Sequence, residues 1–258
     1  MLGAMAGDVI GAAWDGSGEK RSDFPLFSSY SRYTDDTAMT AAVAHALLER
    51  RDYAQAMRQF GRRHPIAGYG AHFGRWLFDT TMGPYNSFGN GGAMRASPIG
   101  YAVRSAEEAL VEAERSAAPT HNHPEGVKGA QAVALAVYVA RCGATKTGIR
   151  HEIEARIGYD LSRSVETIRP DYAYTVEAAR TVPEAIICFL DAQDFEEAVR
   201  NAVSLGGDAD TMACIAGAIA EAHWGGVPET IANEVRGRLP DEFLVLLDRF
   251  RERFMPGV

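Results

Sequence analysis

The chain has 258 residues, of which 47% are hydrophobic and 23% charged, and a net charge of −8. These proportions fit a globule long enough to bury a sizeable core, not a disordered or fibrous polymer. Only Lys20, Lys128 and Lys146 are lysines among 26 basic residues, and the acidic balance excludes a broad basic surface for nucleic acid, though not specific contacts to a nucleic-acid base.

Residues 2–14 mix glycine with Ala, Val, Ile and Trp and predict a closely packed first helix. This N-terminus is apolar but lacks a basic segment and carries Asp8, unlike a secretory signal. Residues 15–33 read as a long polar and aromatic loop, and loops of that length are often functional. Thr34-Asp35-Asp36-Thr37 then opens a helix that runs to about Arg50, and a second covers Tyr53–Arg63 until His64-Pro65 stops it.

Residues 65–101 are glycine-rich and predicted irregular. Within them, 67–71 reads equally as a connecting loop or a ligand loop. Ser87-Phe88-Gly89-Asn90-Gly91-Gly92-Ala93-Met94-Arg95 reads as a phosphate cradle, because the backbone N–H groups of glycine-rich turns form anion nests. Thr120-His121-Asn122-His123-Pro124 opens a strongly apolar helix through Tyr138. His121 and His123 are too close in sequence, with no cysteine nearby, to read as a zinc site, and capping accounts for Asn122 or His123. Further helices are predicted near 145–157, 183–193, 195–204, 229–237 and 241–254, with one weak strand at Tyr172–Val176.

Gly206-Gly207-Asp208-Ala209-Asp210-Thr211 opens a helix through Glu221 whose apolar residues recur at Met212, Ile215, Ala216, Ile219 and Ala220. At either acidic helix start alone, capping and the helix dipole suffice to account for the carboxylates. Together, two such starts offer an all-oxygen ligand set of the kind that hard cations take, Mg²⁺ or Mn²⁺ rather than zinc. If the two ends meet, the product is a two-metal site able to activate water.

Cys142, Cys188 and Cys214 are scattered in apolar helical contexts and read as reduced, buried thiols of a cytoplasmic protein. The longest apolar run, about 130–140, is well short of the roughly 20 residues of a membrane span. The class is therefore all-α. With no linker or repeat, residues 1–258 are expected to form a single compact domain, acting as a monomer without a membrane partner.

Five motifs in order carry a resemblance: Gly-Ala-Met-Ala-Gly-Asp-Val-Ile-Gly (3–11), Thr-Asp-Asp-Thr (34–37), Gly-Asn-Gly-Gly-Ala-Met-Arg (89–95), Thr-His (120–121) and Gly-Gly-Asp-Ala-Asp-Thr (206–211). Over nearly its whole length the chain resembles the ADP-ribosylglycohydrolase family, which includes the dinitrogenase-reductase-activating glycohydrolases and the ADP-ribosyl-acceptor hydrolases. The resemblance implies an orthogonal multi-helix bundle. It also implies two Mg²⁺ ions, with Mn²⁺ as a substitute, held by Thr34, Asp35, Asp36, Asp208, Asp210 and Thr211, with Asp35 and Asp210 also catalytic. Ser87, Phe88, Gly89, Asn90, Gly91, Gly92, Met94 and His121 would bind ADP-ribose, His121 at the diphosphate and Phe88 stacked on adenine. For Phe88 ordinary core packing is the competing reading, and Asp8 reads as a supporting acid.

The family usually places a glutamate acid/base seven residues after the position of Asp8; here Asp15 stands there, one methylene shorter. The implied function is hydrolysis of the glycosidic bond between the distal ribose of ADP-ribose and an acceptor (arginine, serine, an O-acetyl group or a nucleic-acid base). Two alternatives stand beside it: a catalytically idle ADP-ribose-binding relative, and a dimetal pyrophosphohydrolase.

Overall fold

Fifteen α-helices run through residues 1–255, the part of the chain described by the computed structural model. The all-α class is as expected. In chain order they are α1 (Leu2–Gly11), α2 (Asp35–Glu49), α3 (Tyr53–Arg63), α4 (Ala71–Phe78), α5 (Gly91–Met94), α6 (Ser97–Ala102), α7 (Ala106–Ala117), α8 (Pro124–Arg141), α9 (Lys146–Ile157), α10 (Val165–Ile168), α11 (Ala178–Asp191), α12 (Phe195–Val203), α13 (Ala209–Trp224), α14 (Glu229–Arg236) and α15 (Asp241–Phe254). None of them is long and apolar enough to cross a membrane.

The axis of the molecule is the antiparallel pair α1 and α13. Gly3, Gly7 and Gly11 recur every four residues along one face of α1. A Cβ at Gly3 would fall 2.4 Å from the Gly217 carbonyl oxygen, at Gly7 1.9 Å from that of Ala213, and at Gly11 2.4 Å from that of Ala209. Only glycine allows the two backbones to lie this close. The Glu221 carboxylate, near the end of α13, accepts hydrogen bonds from the Gly3 N–H at 2.8 Å, the Leu2 N–H at 3.2 Å and the Met1 amine, closing the start of α1. Because the pair is antiparallel, the end of α1 and the turn after it lie beside the start of α13.

α8 lies against α5, α6, α7, α9, α11 and α13, and its residues from Ala130 to Val137 are almost all buried. His123 caps it, its Nδ1 accepting from the Glu125 N–H at 3.1 Å. Capping therefore accounts for His123.

Several expectations need correction. Residues 65–101 are not irregular throughout: α4, α5 and α6 form there, and in α4 Phe73, Trp76 and Leu77 recur at helical spacing and are buried. The first helix stops at Gly11, and residues 12–17 turn toward the site. Residues 172–176 form no strand: the pairing at the end of this stretch stops at an isolated bridge between Gly89 and Glu177, because the chain turns into α5 after Asn90 and into α11 after Glu177. α11 begins at Ala178, before Pro183 instead of at it. Cys188 and Cys214 are buried, but Cys142 caps the end of α8 and is exposed.

Candidate active site

A cleft of about 390 Å³ opens where the starts of α2 and α13 face the loop that leads into α5. Its acidic wall carries Asp15, Asp35, Asp36, Asp208, Asp210 and Thr211. The opposite wall carries Ser87, Gly89, Asn90, Gly91, Met94, Arg95 and His121. Residues separated by nearly 200 positions thus share one concave surface.

At the start of α2, Thr34 is the N-cap, its side chain accepting from the Asp36 N–H at 3.3 Å. The buried Asp8 carboxylate of α1 braces this turn, accepting from the Thr34 N–H at 2.9 Å, the Thr34 hydroxyl at 2.7 Å and the Thr37 N–H at 3.1 Å. The Thr211 hydroxyl donates to Asp36 Oδ2 at 3.2 Å, tying the two helix starts together.

At the start of α13, capping fails as an explanation. Asp208 occupies the N-cap position but makes no capping hydrogen bond, and instead accepts from Asn90 Nδ2 at 2.8 Å. Asn90 therefore links the glycine loop to the acids.

Two groups of carboxylates each gather one oxygen per residue within 4.8 Å of one another: Asp8, Asp36 and Asp210, and Asp15, Asp208 and Asp210. Asp210 belongs to both. Asp15, in the turn after α1, reaches the second group despite its short side chain. Asp35 lines the cleft but joins neither group.

Burial is the main cause of a raised pKa at every one of these acids, and at all but Asp15 the neighbouring carboxylates add to it. Asp8 and Asp35 rise to about 7, and Asp36 and Asp210 go well above the carboxylate range. Asp208 and Asp15 are also raised, opposed at Asp208 by hydrogen bonds that include the one from Asn90. Asp36 Oδ1 is buried and receives no hydrogen bond from the protein. A convergent all-oxygen set with an unmet buried carboxylate oxygen fits a hard divalent cation, which needs oxygen ligands and neutralises the repulsion.

The opposite wall is held by the backbone. The Asn90 N–H donates to the Val176 carbonyl at 2.8 Å and the Ala178 N–H to that of Phe88 at 3.0 Å. His121 is buried and packed among glycines: a Cβ at Gly91 would lie 2.9 Å from His121 Nε2, and one at Gly92 3.3 Å from His121 Cβ. Gly92 thus backs the histidine and does not line the cleft. Phe88 is outside both cleft lining and core: its ring is 51% exposed and meets His123 edge-on, so core packing does not explain it.

Sequence reasoning left several contributors without a role of their own. Arg95, the last residue of the stretch read as a phosphate cradle, is fully buried and lines the cleft. Gly68 and Gly70, from the stretch read either way, also line it, with Gly68 at a φ of 102°. Tyr174 and Val176 stand at the wall with half-exposed side chains, in a segment read as a strand, where no periodicity marked them. The glycines were the one available signal.

Comparison with known proteins adds a family and a fold. The sequence profile of the ADP-ribosylglycohydrolase family matches residues 1–257. ADP-ribosylhydrolase ARH3 of Danio rerio is 29% identical, the match covering 87% of this chain and 81% of the relative. For ARH3 of Homo sapiens the identity is also 29%, over 80% of this chain and 75% of the relative. A solved structure titled ADP-ribosylglycohydrolase-related protein complex superposes with a TM-score of 0.69 at 26% identity, covering 98% of this chain and 97% of its own.

Proposed function

The chain belongs to the ADP-ribosylglycohydrolase family, and from that premise we propose a Mg²⁺-dependent hydrolase that frees ADP-ribose from an acceptor joined to its distal ribose. Membership makes it a hydrolase of ADP-ribosyl glycosidic bonds. The two-ion site, the residue roles and the acceptor are our reading. The observation that supports it most is the convergence of two acid-bearing helix starts on one cleft, opposite a glycine-lined wall.

In this reading Thr34, Asp35, Asp36, Asp208, Asp210 and Thr211 hold two Mg²⁺ ions, for which Mn²⁺ can substitute, and Asp8 braces the first helix start. Bound cations would supply Lewis-acid polarisation of ribose hydroxyls and of a water. Water attacks the anomeric carbon of the distal ribose, the bond to the acceptor breaks, and its electron pair leaves with the acceptor, which gains a proton. The transition state is oxocarbenium-like, so carboxylates beside it both stabilise charge and move protons. Asp15, Asp35 and Asp210 are the catalytic acids of this scheme. Asp15 is the most exposed of the cluster and takes the proton from water, its carboxyl already raised by partial burial.

Ser87, Gly89, Asn90, Gly91 and Met94, with His121, form the wall for the diphosphate side, while Gly92 leaves room for the histidine ring. The exposed ring of Phe88 at the rim is free to stack on adenine. Because the site draws on residues from Asp15 to Thr211, residues 1–258 are proposed to work as one domain.

The test is product analysis on a panel: ADP-ribosyl-arginine and ADP-ribosyl-serine peptides, O-acetyl-ADP-ribose and an ADP-ribosylated oligonucleotide, each with Mg²⁺ and with EDTA. Free ADP-ribose formed with Mg²⁺ and suppressed by EDTA is expected for at least one substrate. AMP as product would instead assign pyrophosphate cleavage. ADP-ribose binding with no turnover of any substrate would leave only a binding module.

A further inference from the structure

Arg95 is an unusual residue for a protein interior. Its guanidinium is fully buried, and among the described residues no carboxylate lies within ion-pair distance. Burying a charge without a counter-charge is expensive and persists only where its hydrogen bonds serve a purpose. Arg95 Nη1 donates to the Gly91 carbonyl at 2.8 Å, and Nη2 donates to Thr120 Oγ1 at 2.9 Å and to the Ser116 carbonyl at 3.3 Å. Thr120 Oγ1 in turn lies 2.8 Å from His121 Nδ1.

A hydroxyl has one proton to give and two lone pairs to accept with. One lone pair of Thr120 Oγ1 is taken by Arg95. Among the described residues, the only acceptor in reach of the hydroxyl proton is His121 Nδ1. If Nδ1 carried a proton, two donors would face the oxygen and its own proton would be stranded in the interior, a loss of about 1–3 kcal/mol. Placing the proton on Thr120 gives the Arg95 Nη2–H, the Thr120 hydroxyl proton and the His121 Nδ1 lone pair each a partner.

We propose that Arg95 and Thr120 fix His121 in the Nε2–H tautomer, so that the ring nitrogen facing the glycine-lined cleft is always a hydrogen-bond donor, suited to an anionic oxygen. The absence of a side chain at Gly91, whose Cβ would stand 2.9 Å from Nε2, keeps that donor accessible. Burial and then the nearby Arg95 hold the His121 pKa well below its usual value, so the ring is neutral and only the two tautomers compete. Arg95 and Thr120 are positioning residues, which act through His121. The service of Nε2–H to a diphosphate rests on the ADP-ribose reading; the tautomer itself does not.

The experiment is nitrogen NMR of protein labelled at its seven histidines, with His121 assigned by its loss in His121→Gln. The expected His121 pattern is a protonated Nε2 and an imine-type Nδ1, without ligand and across neutral pH. A protonated Nδ1 with imine Nε2, or an imidazolium, overturns the proposal, and this reading on the parent protein needs no variant to fold. Thr120→Val is expected to lose the single tautomer, while Thr120→Ser keeps it. By calorimetry with ADP-ribose, Thr120→Val should weaken binding by between about 2- and 10-fold, the worth of one hydrogen bond, with Thr120→Ser near the parent. A Val variant with unchanged tautomer and affinity also overturns it. The expected tautomer in a protein that binds no ADP-ribose would uphold the relay while removing the ligand reading. ADP-ribose binding with the opposite tautomer would do the reverse.

Discussion

The starts of α2 and α13 look alike in sequence, each an acidic turn that closes in Asp-Thr, yet the fold finishes them differently. The α2 start is sealed from within: Thr34 caps it, and Asp8 of α1 meets the N–H groups of Thr34 and Thr37. The α13 start has no side-chain cap, and its Asp208 turns to Asn90 in the glycine loop. One end keeps some of its acids for holding the helix; the other gives them to the cleft. A motif at a helix start therefore leaves open whether it is structural, and the partner of each oxygen decides.

The largest effect should come from separating the two ends. Gly7→Val places a branched side chain where even a Cβ would meet the Ala213 backbone at 1.9 Å. Overpacking against backbone costs about 3 kcal/mol or more, so thermal unfolding should show a steep loss of melting temperature or no folded protein. A melting curve like the parent's would mean that α1 and α13 do not lie this close.

Asp15 probes the join between the two ends, since it follows α1 and reaches the Asp208–Asp210 pair. Asp15→Asn should lower turnover about a hundredfold, the scale that loss or misplacement of a positioned group produces, with ADP-ribose affinity little changed. Asp15→Glu should be neutral or harmful, because the turn already brings the short carboxylate within reach. Faster turnover in the Glu variant would mean that the turn has not adapted.

A paired measurement sharpens the contrast directly. In EDTA, Asp8→Ala leaves the N–H groups of Thr34 and Thr37 without their acceptor and should destabilise the fold by about 2 kcal/mol. Asp208→Ala removes a buried, crowded carboxylate that caps nothing, and its unfolding free energy should stay within about 1 kcal/mol of the parent. Equal losses in urea titrations would erase the distinction between the ends.

The smallest effect is the response to pH in the metal-free protein. Asp8 and Asp35 are raised to about 7, whereas an aspartate in an unfolded chain titrates near 4. Between those values the folded state binds more protons than the unfolded one, so stability falls as pH rises through the window. The melting temperature in EDTA should therefore decrease from about pH 4 to 7. Mg²⁺ or Mn²⁺ should reverse the decrease at pH 7, by mass action on the folded state. A flat profile in EDTA, or no recovery with cation, would show that the acids do not crowd one another.

The all-α class, most helix positions and the five motifs were legible in the chain because they are local: apolar spacing, caps and glycine clusters operate within a few residues. The resemblance extended that reading to a ligand set and a glycine wall. The exposed positions of Phe88 and Cys142 were not legible, because burial depends on which distant segment covers a residue. The helices of 65–101 escaped notice because they are short and the glycines at the starts of α4 and α5 look like loop. Arg95, Tyr174 and the carboxylate pairing were likewise settled only in three dimensions.

What the sequence determined by itself is that two acidic turns each begin a helix and that a glycine-rich turn lies between them. What only the tertiary structure decided is that these meet. The antiparallel α1–α13 contact, close enough that a Cβ at Gly7 or Gly11 would strike backbone, carries Asp8 to the start of α2 and Asp15 to the start of α13. The physical reason is range: capping and periodicity act over about one turn of helix, whereas carboxylates nearly 200 residues apart are brought within hydrogen-bonding and metal-binding distance by packing alone.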